Sequence, residues 1–330
     1  MPYFSIIIPV YNRPNEIDEL LLSLTKQTYT DFEVIVVDDG SEIVCKSVVE
    51  KYKDKFSVKY YYKKNSGPGQ TRNFGSEKSA GDYLLILDSD CILPKQYLST
   101  IFDELAENPC DAFGGPDRAH SSFSAVQKAI NYSMTSFFTT GGIRGGKRKM
   151  DKFYPRSFNL GVKKSVFEKL GGFSSMRFGE DIDFSIRIFK NNYSCRLFPK
   201  SWVYHKRRTD FSKFFKQVHN SGIARINLYK RYPESLKLVH LLPTIFTLGI
   251  LFLFFISSFY PAFLVLILFY GLLVFCDAST KEKSGKIGLL SIVASFVQLI
   301  GYGTGFLRGV WRRLVLKQDE FNAFEHNFYK

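Results

Sequence analysis

Short apolar runs alternate with amphipathic stretches through the first half of the chain. Residues 5–10, 32–37, 58–62 and 83–87 are apolar-rich runs closed by polar or turn residues. That is the pattern of strands lying in a parallel sheet with both faces covered. Between them Ile17, Leu20, Leu21 and Leu24 recur at helical spacing, as do Val44, Val48 and Tyr52, and a turn at 65–69 leads into a helix over 70–79. Strands separated by helices predict βαβ units, so the expected fold class is α/β, a mainly parallel sheet flanked by helices. Each run ends in polar residues: Tyr11, Asn12 and Arg13; Asp38 and Asp39; Lys63, Lys64 and Asn65; Asp88 and Asp90. In a parallel sheet these ends share one rim, and ligands of open α/β sheets bind beyond that rim. The pattern therefore predicts a crevice of carboxylates, a guanidinium and backbone amides, suited to a nucleotide with a metal.

The run at 83–87 carries the sharpest chemistry, because Asp88 and Asp90 follow it one residue apart. Alternation puts residues i and i+2 of an extended segment on one side. Two adjacent carboxylates repel unless a cation joins them, so a hard divalent ion such as Mn²⁺ or Mg²⁺ is the natural third party. The plainer alternative is a polar turn that closes the strand. Residues 67–72, Gly-Pro-Gly-Gln-Thr-Arg, lack the Gly-Lys-Ser/Thr of a Walker loop and carry Arg72 where a dinucleotide fingerprint needs Gly. They read as a turn feeding a helix N-terminus, with amides to offer a phosphate.

From residue 91 to 177 the pattern is less regular. Ile101 and Leu105 predict a helix, residues 158–162 a strand, and Ser165 a cap for a helix over 166–170. Residues 139–149 combine glycines with Arg144, Lys147, Arg148 and Lys149, which suits a solvated loop or a lid meeting phosphate. Residues 178–188 hold a second acidic cluster, Glu180, Asp181 and Asp183, at the start of a helix whose dipole favours anions. Asp183 and Arg187 are an i, i+4 pair that braces that helix. A short strand at 202–205 ends in His205.

Five of these blocks stand in the order found in family-2 glycosyltransferases, and the chain resembles that family over residues 1 to about 230. The blocks are residues 5–13, the Val-Val-Asp-Asp-Gly-Ser of 36–41, the Asn-x-Gly-Pro-x-x-x-Arg-Asn-x-Gly of 65–75, residues 81–90, and the Gly-Glu-Asp-Ile-Asp of 179–183. The resemblance implies a GT-A fold, a nucleotide-sugar donor (UDP- or GDP-linked), a divalent metal and inversion at the anomeric carbon. It implies donor-binding roles for Pro9, Tyr11, Arg13, Asp38, Asp39, Arg72 and Asp88, and metal binding by Asp88 and Asp90. It implies a metal ligand in His205 and a catalytic base in Asp181, with Glu180 and Arg144 on the acceptor or lid side. Residues 111–116 resemble the short strand behind the donor sugar. Residues 217–222 lack the Gln-x-x-Arg-Trp of processive relatives, which argues for transfer of one sugar. A non-catalytic, membrane-tethered nucleotide- or glycan-binding module is the competing reading, and the second acidic cluster is what it leaves unexplained. A sugar-phosphate nucleotidyltransferase would want a Gly-rich basic loop, of which residues 8–13 are a poor version.

From Leu238 to Cys276 there is no charged side chain, and residues 287–307 form a third uncharged stretch. At about 1.5 Å per residue the first suffices for two spans of roughly 20 residues each. We expect spans near 238–259, 261–277 and 287–307 within a membrane region at 231–310, with a tail at 311–330. Lys281, Lys283 and Lys286 lie in the second connection, and Arg308, Arg312, Arg313 and Lys317 follow the third segment. With basic residues favoured on the cytosolic side, three full spans would strand one of these groups outside, so a re-entrant or interfacial third segment is expected. Composition adds little: 45 Lys and Arg against 31 Asp and Glu give a net +14, which suits anionic partners. Five scattered cysteines carry no metal or disulfide spacing, and residues 1–5 do not resemble a secretory signal. The expected partners are a nucleotide sugar, a lipid-linked or other glycan acceptor and a membrane, with no nucleic acid. The expected place is a bacterial-type cytoplasmic membrane, with the catalytic domain on the cytosolic side.

Overall fold

The structure is a computed structural model that describes residues 3–140 and 153–320. Its described residues form two compact units: one from 3–120 and 153–205, the other from 121–140 and 206–320.

The first unit holds two sheets. Its strands are β1 (Phe4–Val10), β2 (Phe32–Asp38), β3 (Ser57–Tyr62), β4 (Tyr83–Leu87), β5 (Cys91–Ile92), β6 (Ala112–Gly114), β7 (Asp117–Arg118), β8 (Asn159–Lys163), β9 (Cys195–Leu197) and β10 (Val203–His205). The large sheet has the order β3-β2-β1-β4-β8-β6-β9, and the small one β5-β10-β7. Within the large sheet only β8 runs against its neighbours, so the sheet is mainly parallel, as the apolar runs predict.

Both faces of the central strands are covered. Ile6 and Ile8 of β1 join Leu85 and Leu87 of β4 on one face, packed with Ile17, Leu20 and Leu24 of the helix Pro14–Leu24. Ile7, Leu84 and Ile86 point to the other face, among Phe167, Phe173 and Phe184. Alternation thus feeds two cores from one strand, which is why these runs are apolar at every position. Pro9 does not break β1. Pairing with β4 stops at Ile7, while pairing with β2 runs on to Val10 opposite Asp38, so the missing N–H falls on an unpaired edge.

The second unit is helical. Ser124 caps Ala125–Thr135 through a reciprocal bond with Gln127, and Asp210 caps Phe211–Arg231 by accepting from the Lys213 amide at 2.7 Å. Three helices are long and apolar enough to cross a membrane: Leu238–Ser257, Pro261–Glu282 and Gly285–Val315, the last ending in a π-helical turn. Large apolar side chains such as Leu251, Phe255, Leu268 and Phe269 stand exposed along the first two. The third contains one uninterrupted α-helix, Gly285–Val310, without the mid-segment break a re-entrant hairpin needs. Lys281 and Lys286 are helical rather than in a loop, because the chain reverses in a tight turn at Lys283 and Ser284.

Gly285–Val310 packs on Phe211–Arg231 at backbone distance. A Cβ on Gly305 would lie 1.9 Å from the carbonyl oxygen of His219, and one on Gly222 2.3 Å from that of Tyr302. Small residues are what allow two helices to approach so closely. Gly305→Val should therefore push the pair apart and cost on the order of 1–3 kcal/mol or more. Thermal unfolding of the detergent-solubilised chain tests this, and an unchanged Tm would show that the seam tolerates a side chain.

Candidate active site

The chain runs from β1 out to β2 and β3, then returns to the other flank of β1 as β4. The loops after β1 and β4 therefore part at a topological switch point, where α/β sheets open a crevice. Arg13 comes from the first loop and Asp90 from the second, and the two form an ion pair across the opening.

Arg72 extends that network. It lies in the helix Pro68–Glu77, whose start is set by Gly67 at φ +84°, a left-handed conformation that suits glycine. The Gly67 amide donates to Asp39 at 2.9 Å, which anchors the turn to the end of β2. Arg72 is buried, and it donates through Nη2 to Asp88 at 2.7 Å and through Nη1 to Glu180 at 3.0 Å. One guanidinium thus ties the β4 carboxylates to the second acidic cluster.

His205 arrives through the small sheet. β10 pairs antiparallel with β5, which sets His205 opposite Cys91, next to Asp90. The ring stacks on Phe158 at 4.8 Å. Its Nε2 lies 3.1 Å from Asp90 Oδ1 and 3.9 Å from Asp88 Oδ2, and its Nδ1 is buried without a hydrogen-bond partner. Two carboxylates and an imidazole nitrogen gathered this closely are a donor set that fits a divalent ion. Cys91 Sγ lies in the same cluster but donates to the Phe158 carbonyl at 3.5 Å. Burial pushes its thiol well above the ordinary range, so it offers a neutral S–H and not a thiolate.

The helix Glu180–Lys190 brings three acids into its first turn, and each meets a different arginine. Asp183 accepts from Arg187 Nε at 3.0 Å, the brace that the i, i+4 spacing predicts. Glu180 meets Arg72. Asp181 Oδ2 accepts from Arg156 Nε at 2.7 Å, and its Oδ1 accepts from the Ile182 amide at 2.8 Å. The two adjacent carboxyls are driven apart electrostatically. Burial, and then the charge of Asp181, push Glu180 up to about 7 against the pull of Arg72. Burial also raises Asp181, but Arg156 and then Arg72 outweigh it and hold Asp181 below the usual carboxylate range. Near neutral pH Asp181 is the ionised member of the pair, and Glu180 keeps a proton on a large share of molecules.

This difference has a measurable consequence. The ordinary Glu value is 4.5, so the folded chain binds the Glu180 proton more tightly than the unfolded chain does. That stabilisation is full below the unfolded value and is lost as pH rises through about 7. Glu180→Gln removes the titration, so the Tm of the variant should gain on wild type from about pH 5 to about pH 8. A constant difference would show that Glu180 is already ionised in the folded chain at the acid end.

The remaining expected residues are placed as follows. Asp38 is buried and accepts from the Ser41 and Cys45 amides and from Tyr60 Oη, at 2.9, 3.2 and 2.8 Å. Asp39 accepts from the Ser66 and Gly67 amides and from Lys63 Nζ, at 2.9, 2.9 and 2.6 Å. Both carboxylates thus brace the loops that shape the rim. Pro9 sits in β1 opposite Val37, and Tyr11 follows that strand, partly buried. Arg144 lies outside the described residues. Arg156 and Lys63 were not singled out by sequence reasoning. Lys63 stands in a polar strand end, which was a usable signal, whereas Arg156 sits in an irregular stretch with no motif.

Residues 5–171 match the sequence profile described as glycosyl transferase family 2. The chain belongs to that family. The chain is 32% identical over 195 residues to an uncharacterized glycosyltransferase of Haemophilus influenzae, covering 56% of this chain and 62% of the relative. It is 27% identical over 252 residues to the GalNAc(5)-diNAcBac-PP-undecaprenol beta-1,3-glucosyltransferase of Campylobacter jejuni, covering 73% of this chain and 74% of that one. The first curated relatives are matched over only 12 to 62% of their own length. Among solved structures, the mannosyltransferase PcManGT from Pyrobaculum calidifontis, in complex with GDP-Man and Mn²⁺, gives a TM-score of 0.64 at 16% identity. It covers 94% of this chain and 88% of that one, and at such identity the likeness is one of fold: the GT-A fold.

Proposed function

We propose that the chain transfers one sugar from a nucleotide-sugar donor to an acceptor hydroxyl, with inversion and with the help of Mn²⁺ or Mg²⁺. The observation that carries the proposal is the Arg72 bridge between Asp88 and Glu180, which joins the strand-end carboxylates to the cluster that holds Asp181. Asp88, Asp90 and His205 would hold the metal, which when bound supplies Lewis-acid stabilisation of the departing nucleoside diphosphate. Arg13 and Arg72 keep the crevice carboxylates apart and oriented. Asp181 accepts the proton of the attacking hydroxyl, since each of its oxygens keeps a second lone pair beyond the bonds to Arg156 and Ile182. Asp88 and Asp90 are committed to the leaving-group side and are poor candidates for that base.

The acceptor in this reading is a lipid-linked glycan at the cytosolic face of a bacterial-type inner membrane. Three apolar helices support it, as does a relative whose name describes an undecaprenol-linked substrate. The test is a screen of UDP- and GDP-sugars with the full chain, Mn²⁺ or Mg²⁺, and undecaprenol-linked acceptors. It would follow nucleoside diphosphate release and the anomeric configuration of the product by NMR. A retained configuration, or release unaffected by chelation, would sink the corresponding part of the proposal.

A further inference from the structure

The positive excess of the chain is unevenly placed. Residues 121–140 and 206–320 carry 17 Lys and Arg against 6 Asp and Glu, and residues 3–120 and 153–205 carry 22 against 23. The basic unit is also the one with the three apolar helices. Several of its carboxylates are already paired: Asp210 with Lys213, Asp277 with Lys281, and Glu320 with Arg231.

Three basic side chains lie near the start of the first apolar helix. Arg225 and Lys237 are both within electrostatic range of His240, and the Lys237 backbone is hydrogen-bonded to its ring. The Arg225 Nε is buried and has no hydrogen-bond partner, and neither Arg225 nor Lys237 has a carboxylate partner among the described residues. His240 Nδ1 accepts from the Lys237 amide at 3.0 Å, so the ring proton sits on Nε2 and remains available to donate. A guanidinium, an ammonium and an imidazole N–H thus lie near one another, and among the described residues no carboxylate forms an ion pair with the two cations. Immediately beside them stand exposed apolar residues: Leu238 at 84%, Ile245 at 61% and Leu242 at 52% of full exposure. A ligand that matches both features has an anionic head and an apolar body.

We propose that Arg225, Lys237 and His240 bind the phosphate of an anionic glycerophospholipid headgroup. Arginine and lysine are suited to this, the first as a planar fork and the second as a point charge. A zwitterionic headgroup brings an ammonium that would meet two further cations, so the site favours phosphatidylglycerol over phosphatidylcholine. The proposal rests on the reading of the apolar helices as membrane-embedded, and the experiment separates the two.

The full chain is purified in neutral detergent and titrated with phosphatidylglycerol, phosphatidylcholine or inorganic phosphate, with binding read from the rise in Tm. Phosphatidylglycerol should raise Tm, and the other two should not. A juxtamembrane cation contributes about fivefold to such binding, so Arg225→Gln with Lys237→Gln should weaken it roughly thirtyfold. Arg225→Lys should retain most of the binding and shows that the site, not folding, is being read. An equal response to phosphatidylcholine or inorganic phosphate, or full binding in the double variant, overturns the headgroup site. Separately, the chain reconstituted with phosphatidylcholine vesicles should float with them after alkaline washing. Failure there overturns the membrane reading, whereas flotation together with indifference to phosphatidylglycerol overturns only the headgroup site.

Discussion

Asp181→Asn is expected to lower kcat by about 10² to 10⁴ while donor and metal affinity stay close to wild type. The substitution is nearly isosteric and keeps an oxygen for Arg156 or the Ile182 amide, so the helix start should survive. What it removes is the basic lone pair. Attack by a hydroxyl releases a proton as the new bond forms, and Asp181 is the member of the Glu180–Asp181 pair that is held ionised. Glu180→Gln should cost less, because Glu180 already carries its proton on a large share of molecules near neutral pH and glutamine resembles that form. Arg156 sets how basic Asp181 is, so Arg156→Gln should move the acid limb of the kcat profile to higher pH. Retained turnover in Asp181→Asn, with loss in Asp183→Asn, would assign the base to the wrong acid.

Asp90→Ala should abolish metal-dependent binding of the nucleoside diphosphate, and Asp88→Ala should weaken it. Outer partners of metal ligands already cost about 10- to 100-fold when removed, so loss of a direct ligand of the proposed site should reach at least the upper end. The two carboxylates are not equivalent. Asp90 meets His205 at 3.1 Å and also pairs with Arg13, whereas Asp88 stands 3.9 Å from His205 and shares an oxygen with Arg72. Calorimetry with nucleoside diphosphate, with and without Mn²⁺, reads the difference. If both variants keep the wild-type increment from Mn²⁺, the metal site lies elsewhere.

The parts of the fold that were legible are those where one residue type answers one local demand. β1, β2 and β4 are buried on both faces, so their apolar runs had a single reading, and the polar residues that close them fell on the predicted rim. The Asp183–Arg187 brace was legible because it lies within one helix turn. Partner choice across the chain was not. Arg72 reaches Glu180 over 108 positions and Arg156 reaches Asp181 over 25, distances at which no periodicity carries information. The hydrogen-bond partners of Asp38 and Asp39 were hidden for a related reason. Adjacent acids at a strand end look alike in sequence, yet in the structure one gathers the loop after β2 and the other the turn before Pro68. The packing of Phe211–Arg231 on Gly285–Val310 was not legible, because glycines in an apolar helix do not name the helix that they pack against.

The strand that delivers His205 also sets the order in which the site can be completed. β10 pairs with β5 and β7, which were made long before it, so its docking closes a very long loop, and long-range pairing is the slow part of β-sheet assembly. During synthesis the first four parallel strands can associate while the segment with β10 is still unmade. A nascent or truncated chain that ends before β10 would carry Asp88 and Asp90 but not their imidazole partner. It would present the carboxylate rim without His205, so on the proposed reading the metal site is completed only when the last strand of the small sheet docks.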